Sequence, residues 1–317
     1  MKFKAFLTDN GIHLLEKRIL PVLERIGRAP HLYLTPDHIF FLHNLLAADG
    51  LHSVAQFRQQ SLFHDYRISS QNEDRIAFSV DLVLLHRAFR SILSISRDPA
   101  AAAAGFQVKL VKKLPPNSTQ PSPFLTFEAK GHRSAVVHDV PVSKPLSRAD
   151  VRELHLALES AQEMPTTLLR VPELNPLQSF VDRLKNLGDV IGVTVAKYGD
   201  LHLQICNPLV SLGAEFRKLM ILGDRANPPE EYLGVNAQKR SEMSVRRGDA
   251  MTVQVSVKHF SKCLQYNLAK PDCAYYGIGP QSSCLVVIFH FFQPGTRQTD
   301  KSISLHCRLP VLDPGSN

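Results

Sequence analysis

The sequence predicts an α+β fold in which one arrangement of strands and helices occurs twice. Strand patterns outnumber helical ones, and amphipathic helices alternate irregularly with hairpins, which favours antiparallel sheets with helices on one face. The chain has 317 residues, 44% of them hydrophobic, so it is long and apolar enough for two domains with a core each. Three pairs of similar segments recur at nearly one offset, namely the hairpin ends Asn44 and Asn207, the strand–helix joints Val80 and Val257, and the strand ends Val142 and Val311.

The first half begins with a strand and an amphipathic helix. Alternation of Phe3, Ala5 and Leu7 predicts the strand. The helix is expected to be capped by the segment 9–11, to kink at Pro21, and to bury Leu15, Ile19, Val22 and Ile26. The elements predicted next are a hairpin of His31–Leu34 and Ile39–Asn44, a strand over Arg75–Val80, a helix that buries Leu82, Leu85, Phe89 and Ile92, and strands over Phe106–Lys112, Phe124–Lys130 and Ala135–Val142.

The second half repeats this order. A short strand, Leu168–Val171, precedes a helix expected to have Asn175 as its N-cap and Pro176 at its first position. The apolar face of that helix is Leu177, Phe180, Val181, Leu184 and Leu187. The elements predicted after it are a hairpin of Val190–Ala196 and Leu201–Asn207, a strand over Met251–Val257, a helix over Lys258–Leu268, and strands over Asp272–Ile278, Ser283–Phe291 and Ser302–Leu309.

The domain boundaries follow from the repeat. We expect domains over residues 1–142 and 167–317, joined by a linker over 143–166. Two further stretches interrupt the pattern: the Ala-rich run Arg97–Gly105 and the polar insertion Gly223–Asp249. Inside the linker, Leu154, Leu156 and Leu158 either border a groove for partner peptides or belong to a short helix that covers a sheet.

The excess of basic residues favours an anionic partner but does not identify one. Lys and Arg number 37 against 29 Asp and Glu, a formal net charge of +8, which is compatible with nucleic acid binding and equally with an ordinary basic protein. The outer faces of all four helices are biased towards positive charge, which is typical of a surface that follows phosphates without reading sequence. The candidate DNA-contacting residues are Lys17, Arg18, Arg25, Arg87, Arg90, Arg183, Lys185, Lys258 and Lys262.

Several functional classes find no support in the sequence. Five Cys without a close pair argue against a disulfide framework and a structural zinc, and they favour buried, reduced thiols in a cytosolic or nuclear protein. No secretory signal and no membrane-spanning run is expected. The His64-Asp65 and His138-Asp139 pairs are more simply surface and turn residues than metal ligands, and no phosphate loop or nucleophile elbow is present, so we expect no enzyme, metal or cofactor.

The polar insertion contains two doublets of adjacent basic residues. Lys239-Arg240 and Arg246-Arg247 are interpreted either as a nuclear import signal or as a solvated loop. No interleaving of aromatic and basic residues, which is typical of proteins that bind single strands, is present.

Three segments resemble one family. The opening 1–5 (Met-Lys-Phe-Lys-Ala), the hairpin segment Leu32–Asp37 and the strand end His138–Val142 look like the Hus-type subunit of the heterotrimeric DNA-damage checkpoint clamp, the nine-one-one complex of the PCNA-like sliding clamp superfamily. The resemblance covers nearly the whole chain. It departs at the two interrupting stretches and at the loop Gln293–Thr299.

The resemblance implies a fold and a function. It implies duplicated clamp domains with antiparallel sheets outside and four helices on the inner face of a ring. Three unlike subunits would encircle double-stranded DNA after an ATP-dependent clamp loader opens the ring. The loaded ring would recruit activators of the checkpoint kinase and repair factors in the nucleus, in double-strand break repair, homologous recombination, the meiotic checkpoint and telomere maintenance. Two other readings stay open, a protein-interaction scaffold that does not bind DNA and a homotrimeric processivity clamp.

Subunit contacts are expected at exposed sheet edges, because an unpaired edge strand is an aggregation hazard unless it pairs. By resemblance, the edges are Phe106–Lys112 in the first domain and Leu209–Lys218 in the second. Two different edges would form a head-to-tail interface that closes as a ring. The candidate interface residues are Phe106, Val108 and Leu110 on one edge and Leu212, Ala214 and Phe216 on the other.

Overall fold

The computed structural model describes residues 1–47, 50–95, 105–115, 118–130, 135–171, 173–206, 209–232 and 234–312. They divide into two compact units. The first comprises Met1–Leu46, Val54–Leu158 and Lys301–Ser304, and the second comprises Ala47–Ser53, Glu159–Asp300 and Leu305–Asn317. The Ala-rich run predicted as an inserted loop lies outside the described residues, apart from Gly105.

The first unit is built mainly from strands. They are β1 (Lys2–Leu7), β2 (His31–Leu34), β3 (His38–His43), β4 (His52–Arg58), β5 (Phe63–Ser69), β6 (Ile76–Ser79), β7 (Phe106–Lys113), β8 (Ser122–Lys130) and β9 (Ala135–Pro141). Their orders are β5-β1-β7-β8-β9 and β4-β3-β2-β6. The helices are α1 (Asp9–His13), a π-helical turn (Leu14–Ile19), α2 (Leu20–Ile26), α3 (Gln59–Leu62), α4 (Leu82–Ile95) and, after the last strand, α5 (Arg148–Ala161).

The second unit has the same plan. Its strands are β10 (Thr167–Val171), β11 (Val190–Ala196), β12 (Leu201–Cys206), β13 (Ser211–Phe216), β14 (Met220–Gly223), β15 (Ala250–Ser256), β16 (Cys273–Ile278), β17 (Cys284–His290) and β18 (Ile303–Pro310). Their orders are β14-β10-β16-β17-β18 and β13-β12-β11-β15. The helices are α6 (Leu174–Leu184), α7 (Ala237–Arg247) and α8 (Val257–Cys263), with 3-10 turns at Glu230–Tyr232, Leu264–Ala269 and Pro280–Ser282.

The two units match strand by strand. The sheet order β5-β1-β7-β8-β9 corresponds to β14-β10-β16-β17-β18, and β4-β3-β2-β6 corresponds to β13-β12-β11-β15. Neighbouring strands run antiparallel, as β1 does with β5 and β7. The predicted α+β class and the duplication are therefore confirmed.

The first helix begins one residue earlier than the sequence suggested. Its N-cap is Thr8, whose hydroxyl accepts a hydrogen bond from the backbone N–H of Gly11 at 2.9 Å. Pro21 has no backbone N–H to donate to the carbonyl of Lys17. The helix accommodates this proline through the π-helical turn just before α2. The predicted kink therefore takes the form of a widened turn.

Three other expectations about local structure need correction. The helix α6 begins at Leu174 after Glu173, so Asn175 is not its cap. Residues 148–161 of the predicted linker form α5, which buries Leu154 and Leu158 and leaves Leu156 59% exposed, so these leucines lie on a helix. Cys206 is exposed, while the other four Cys are buried.

The polar insertion also differs from expectation. Residues 237–247 form α7, which has Asn236 as N-cap and ends at Gly248 in the left-handed conformation. Arg240 on this helix is 6% exposed, whereas Lys239, Arg246 and Arg247 are exposed. The doublets therefore lie on a folded helix rather than in a solvated loop.

Candidate nucleic-acid interface

In the first unit, α2 and α4 pack against each other through their acidic and apolar residues. His86 of α4 is buried, and its Nδ1 lies 2.7 Å from Oε1 of Glu24. Its Nε2 lies 4.0 Å from Oε1 of Glu16 in the π-helical turn. Both glutamates are turned towards the neighbouring helix, so the remaining exposed surface of this helix pair is dominated by basic side chains.

The second unit repeats this arrangement with α6 and α8. The hydroxyl of Ser261 on α8 donates to Oδ1 of Asp182 on α6 at 2.9 Å. The side chain of Asn267 donates to Gln178 at 2.8 Å. Below these contacts, Leu177, Phe180 and Val181 are buried. Here too, the acidic side chain of the helix pair lies at the contact between the helices.

The structure places each of the nine predicted basic residues on these helices or in the turn directly before or after one of them. Five belong to the first unit's pair and four to the second's. Seven are exposed and two are half-buried, the latter being Arg18 and Lys262. The first set is Lys17, Arg18, Arg25, Arg87 and Arg90, and the second is Arg183, Lys185, Lys258 and Lys262.

Carboxylates pair with at least two of these cations. Nε of Arg90 lies 3.8 Å from Glu16, and Nζ of Lys185 lies 2.8 Å from Asp182. Within the described ranges, no carboxylate lies within ion-pair distance of Lys17, Arg87, Arg183, Lys258 or Lys262.

The pKa of a neighbouring histidine reflects the positive charges on α8. His259 lies beside two of these lysines on α8. Partial burial lowers the pKa of His259, and the charges of Lys262 and Lys258 lower it further.

One predicted sheet edge is wrong. Strand β7 lies between β1 and β8 and pairs with both, so it has no free side. Phe106 and Val108 are buried at 1% and 3% exposure, and Leu110 is half-buried. The family resemblance assigned this strand to an edge, and its alternation could not correct the assignment, because central and edge strands can both alternate.

The outer strands of this sheet are β5 and β9. Strand β5 carries a register irregularity opposite Lys4–Phe6, and its Asp65 has a φ of 47° and pairs with Arg67. Strand β9 is regular along β8 and leaves Val137 56% exposed. Sequence reasoning assigned β9 as a strand but missed that it is an edge.

The second predicted edge is an outer strand. Strand β13 ends the order β13-β12-β11-β15 and pairs with β12 over its whole length. Leu212 is 37% exposed, and Ala214 and Phe216 are half-buried. Just before the strand, Leu209 and Val210 are 92% and 42% exposed. An apolar surface therefore accompanies this free edge.

The aspartates of both His-Asp pairs are bound by basic side chains of the chain. Partial burial raises the pKa of Asp139, but hydrogen bonds from Lys113 and Thr126 outweigh it and hold the pKa below the ordinary value. Asp65 is paired with Arg67. Across the part of the chain that the structure covers, no group of three or more His, Cys, Asp or Glu side chains is placed to hold a metal. In the same residues, every helix is too short or too polar to traverse a lipid bilayer.

Comparison with known proteins places the chain in a family. A family model described as Hus1-like protein matches residues 1–306. The human checkpoint protein HUS1 is 24% identical over 232 residues, covering 72% of this chain and 76% of that protein. The checkpoint protein hus1 homolog of Dictyostelium discoideum is 23% identical over 274 residues, covering 86% and 88%, and the checkpoint protein hus1 of Schizosaccharomyces pombe is 27% identical over 223 residues, covering 69% and 70%.

A solved structure supports the fold. The crystal structure of the proliferating cellular nuclear antigen from Entamoeba histolytica aligns with a TM-score of 0.58 at 10% identity, over 98% of this chain and 99% of that one. Since the family match spans almost the whole sequence and the duplicated sheets have a sliding-clamp counterpart, the chain belongs to the Hus1-like family and is a checkpoint clamp subunit of the nine-one-one type with a PCNA-like fold.

Proposed function

We propose that this chain is a non-catalytic subunit of a heterotrimeric ring that encircles double-stranded DNA at sites of damage in the nucleus. An ATP-dependent loader deposits the ring, and the ring recruits checkpoint-kinase activators and repair factors. The observation that carries the proposal is the repeated helix pair. In each unit, acidic side chains lie at the helix contact and basic side chains are exposed.

The proposed contact with DNA is independent of base sequence. Lys and Arg on exposed helix faces can reach phosphate oxygens but are not arranged to read base edges in a groove. Such binding weakens steeply with salt, because each phosphate contact releases counterions. The ring form adds retention that does not depend on any single contact.

The proposed subunit contacts use the two outer strands β9 and β13. Main-chain groups on a free edge can pair with a strand of another subunit, and the side chains select the partner. The two edges differ in length and sequence, so a contact between one edge and the other is heterologous and runs head to tail, which allows closure as a ring. Val137 on one edge and Leu212 on the other supply exposed apolar area.

Co-expression tests the assembly directly. The chain is produced with candidate clamp subunits of its own organism, and the mass of the purified complex is measured by light scattering. The proposal expects one copy of each of three unlike chains. A stable homotrimer that unlike subunits do not displace would contradict it and would favour a processivity clamp.

A further inference from the structure

A cleft in the second unit lies outside the helix faces discussed above. It has a volume of about 540 Å³ and is formed between the β11–β12 turn, the segment after β13, and the insertion that leads into α7. The insertion contributes Pro228, Pro229 and Tyr232, and the turn contributes Tyr198. The two tyrosine rings lie 5.7 Å apart at 53°. Proline and tyrosine rings therefore form part of the walls.

The floor of the cleft is a buried ionic cluster. Arg240 of α7 pairs with the carboxylate of Glu215 on β13, and its Nε lies 3.7 Å from Oδ2 of Asp200. Glu215 also accepts from Nε of Arg217 at 2.6 Å. Partial burial raises the pKa of Asp200, and the nearby charge of Glu215 adds to the effect. The carboxylates at the floor are thus engaged by cations of the chain itself.

Two polar groups at this cleft are buried without a hydrogen bond among the described residues. They are the hydroxyl of Tyr232, a residue 4% exposed, and Nε of Arg240, a residue 6% exposed. An arginine Nε–H can only donate, and a tyrosine hydroxyl donates readily. Leaving such groups without a partner is unfavourable, so the cleft is matched to a ligand that accepts hydrogen bonds.

The rim points to the same kind of ligand. Arg217 and Lys218 line the cleft and are exposed. Lys218 has a φ of 55°, a left-handed conformation that is uncommon for a side chain of this size and that is often found at binding sites. Across the cleft, Glu230 supplies one exposed carboxylate. The exposed charge at the rim is therefore positive on balance.

We propose that this cleft binds an acidic segment of a partner protein, with a carboxylate or phosphoryl group held between Arg217, Lys218 and the hydroxyl of Tyr232. Pro228, Pro229 and Tyr198 provide a surface on which an extended peptide can lie, as aromatic-lined grooves do for such segments. A duplex DNA backbone fits less well, because Asp200 and Glu230 would repel a continuous run of phosphates, whereas a single anion can sit on the basic side of the cleft.

The test measures peptide binding to the full chain by fluorescence anisotropy. The probes are three labelled ten-residue peptides that contain proline and one central position occupied by Glu, phosphoserine or Gln. The Glu or the phosphoserine peptide is expected to bind and the Gln peptide to bind at least tenfold more weakly. Tighter binding of phosphoserine assigns the natural anion to a modified residue, and equal binding assigns it to an acidic side chain.

Variants locate the binding site. Arg217→Glu with Lys218→Glu removes the basic rim and is expected to abolish binding. Tyr232→Phe removes one oxygen atom and is expected to weaken binding about tenfold, as loss of a hydrogen bond to a charged group does. The matched control is Arg297→Glu with Lys301→Glu, which makes the same charge change at exposed positions that do not line the cleft.

Three outcomes would overturn the proposal. They are the absence of binding by both anionic peptides, an equal loss in the Arg297/Lys301 control, and a loss of duplex DNA affinity in the Arg217/Lys218 variant as large as its loss of peptide affinity. Circular dichroism melting confirms that each variant is folded. If the rim variant unfolds, Tyr232→Phe decides the question on its own, because it removes a hydroxyl that bonds to no other described residue.

Discussion

At the scale of single residues, Arg240 connects three elements of the second unit. It lies on α7, pairs with Glu215 of β13, approaches Asp200 at the β11–β12 turn, and donates to the carbonyl of Val235 at 3.2 Å. In the sequence it is one half of a basic doublet, and nothing in the doublet tells which residue faces the protein. The helical period of α7 decides that Arg240 is buried while Lys239 is exposed.

Replacing Arg240 by Ala should therefore destabilise the fold. The change leaves the carboxylates of Glu215 and Asp200 near each other without their shared cation. Breaking a buried pair in this way typically costs about 3 kcal/mol or more of the free energy of unfolding, which urea denaturation measures. Arg246→Ala on the exposed side of the same helix is the control and should change stability by less than about 0.5 kcal/mol. Equal effects of the two changes would show that the buried cluster does not stabilise the unit.

His306 predicts how stability depends on pH. Burial lowers the pKa of His306 to about 4, and the charge of His290 lowers it further. The unfolded chain takes up a proton at His306 near the ordinary pKa of about 6.5, whereas the folded chain does so only near pH 4. The contribution of His306 to the free energy of unfolding is therefore complete above pH about 6.5. It falls by about 1.4 kcal/mol per pH unit as the pH decreases towards 4.

Urea unfolding at a series of pH values checks this sign. The wild type is expected to lose stability between pH about 6.5 and 4 more steeply than the His306→Leu variant, because the variant has no proton to take up at this position. The exposed His64 supplies the control, and His64→Gln should keep the wild-type slope. Parallel curves for wild type and His306→Leu would contradict the assigned shift.

At the scale of elements, the sequence predicted most strands and helices but not their neighbours. The strands β1 and β8 and the helices α4 and α6 follow from apolar periodicity, and β17 follows from a continuous apolar run. The strands β4 and β5 were missed: β4 is buried on both faces over Val54 and Ala55 and so lacks alternation, and β5 is broken by the irregularity at Asp65. Pairing order is a tertiary property, which explains why β7 was taken for an edge.

The sequence predicted the basic residues of the candidate site better than it predicted the edges of the sheets. Solvent-facing Lys and Arg on an amphipathic helix are recognisable from helical spacing, and all nine predicted residues lie on the helices or in a turn directly next to one. Sequence spacing could not show that Glu24 and Asp182 turn towards a neighbouring helix, because that depends on which helices pack together. These contacts place the acidic side chains between the helices and leave the basic side chains on the exposed faces.

The helix α8 offers the sharpest test of the proposed DNA contact. Lys258→Glu with Lys262→Glu should weaken binding to a duplex and reduce the slope of log K against log salt concentration by about 0.9 for each phosphate that these side chains no longer neutralise. Filter binding or anisotropy over a salt series measures this. The control is again Arg297→Glu with Lys301→Glu, which changes the charge equally. A similar reduction in both variants would indicate a general charge effect rather than a contact at α8.

At the scale of the whole molecule, the two units have the same topology. In each unit, one sheet has an outer strand that carries exposed apolar residues. Val137→Asp on β9 should break one subunit contact and leave the other neighbour bound, and Leu212→Asp on β13 should do the reverse. Pull-down of each partner subunit separately measures the two contacts. Met220→Asp on the outer strand β14 is the control, since Met220 is 54% exposed and belongs to neither proposed interface. Loss of both neighbours from a single change would contradict the assignment of one edge to each.

The central claim is that this chain forms part of a ring around DNA, and topology tests it most directly. The assembled complex is loaded by its clamp loader onto closed circular duplex DNA, washed at high salt and then challenged by linearising the DNA with a restriction enzyme. A ring should remain on the circle at a salt concentration that disrupts phosphate contacts, and it should slide off once the ends are free. Release from the circle in high salt, or equal retention on the circular and the linear form, would contradict the claim.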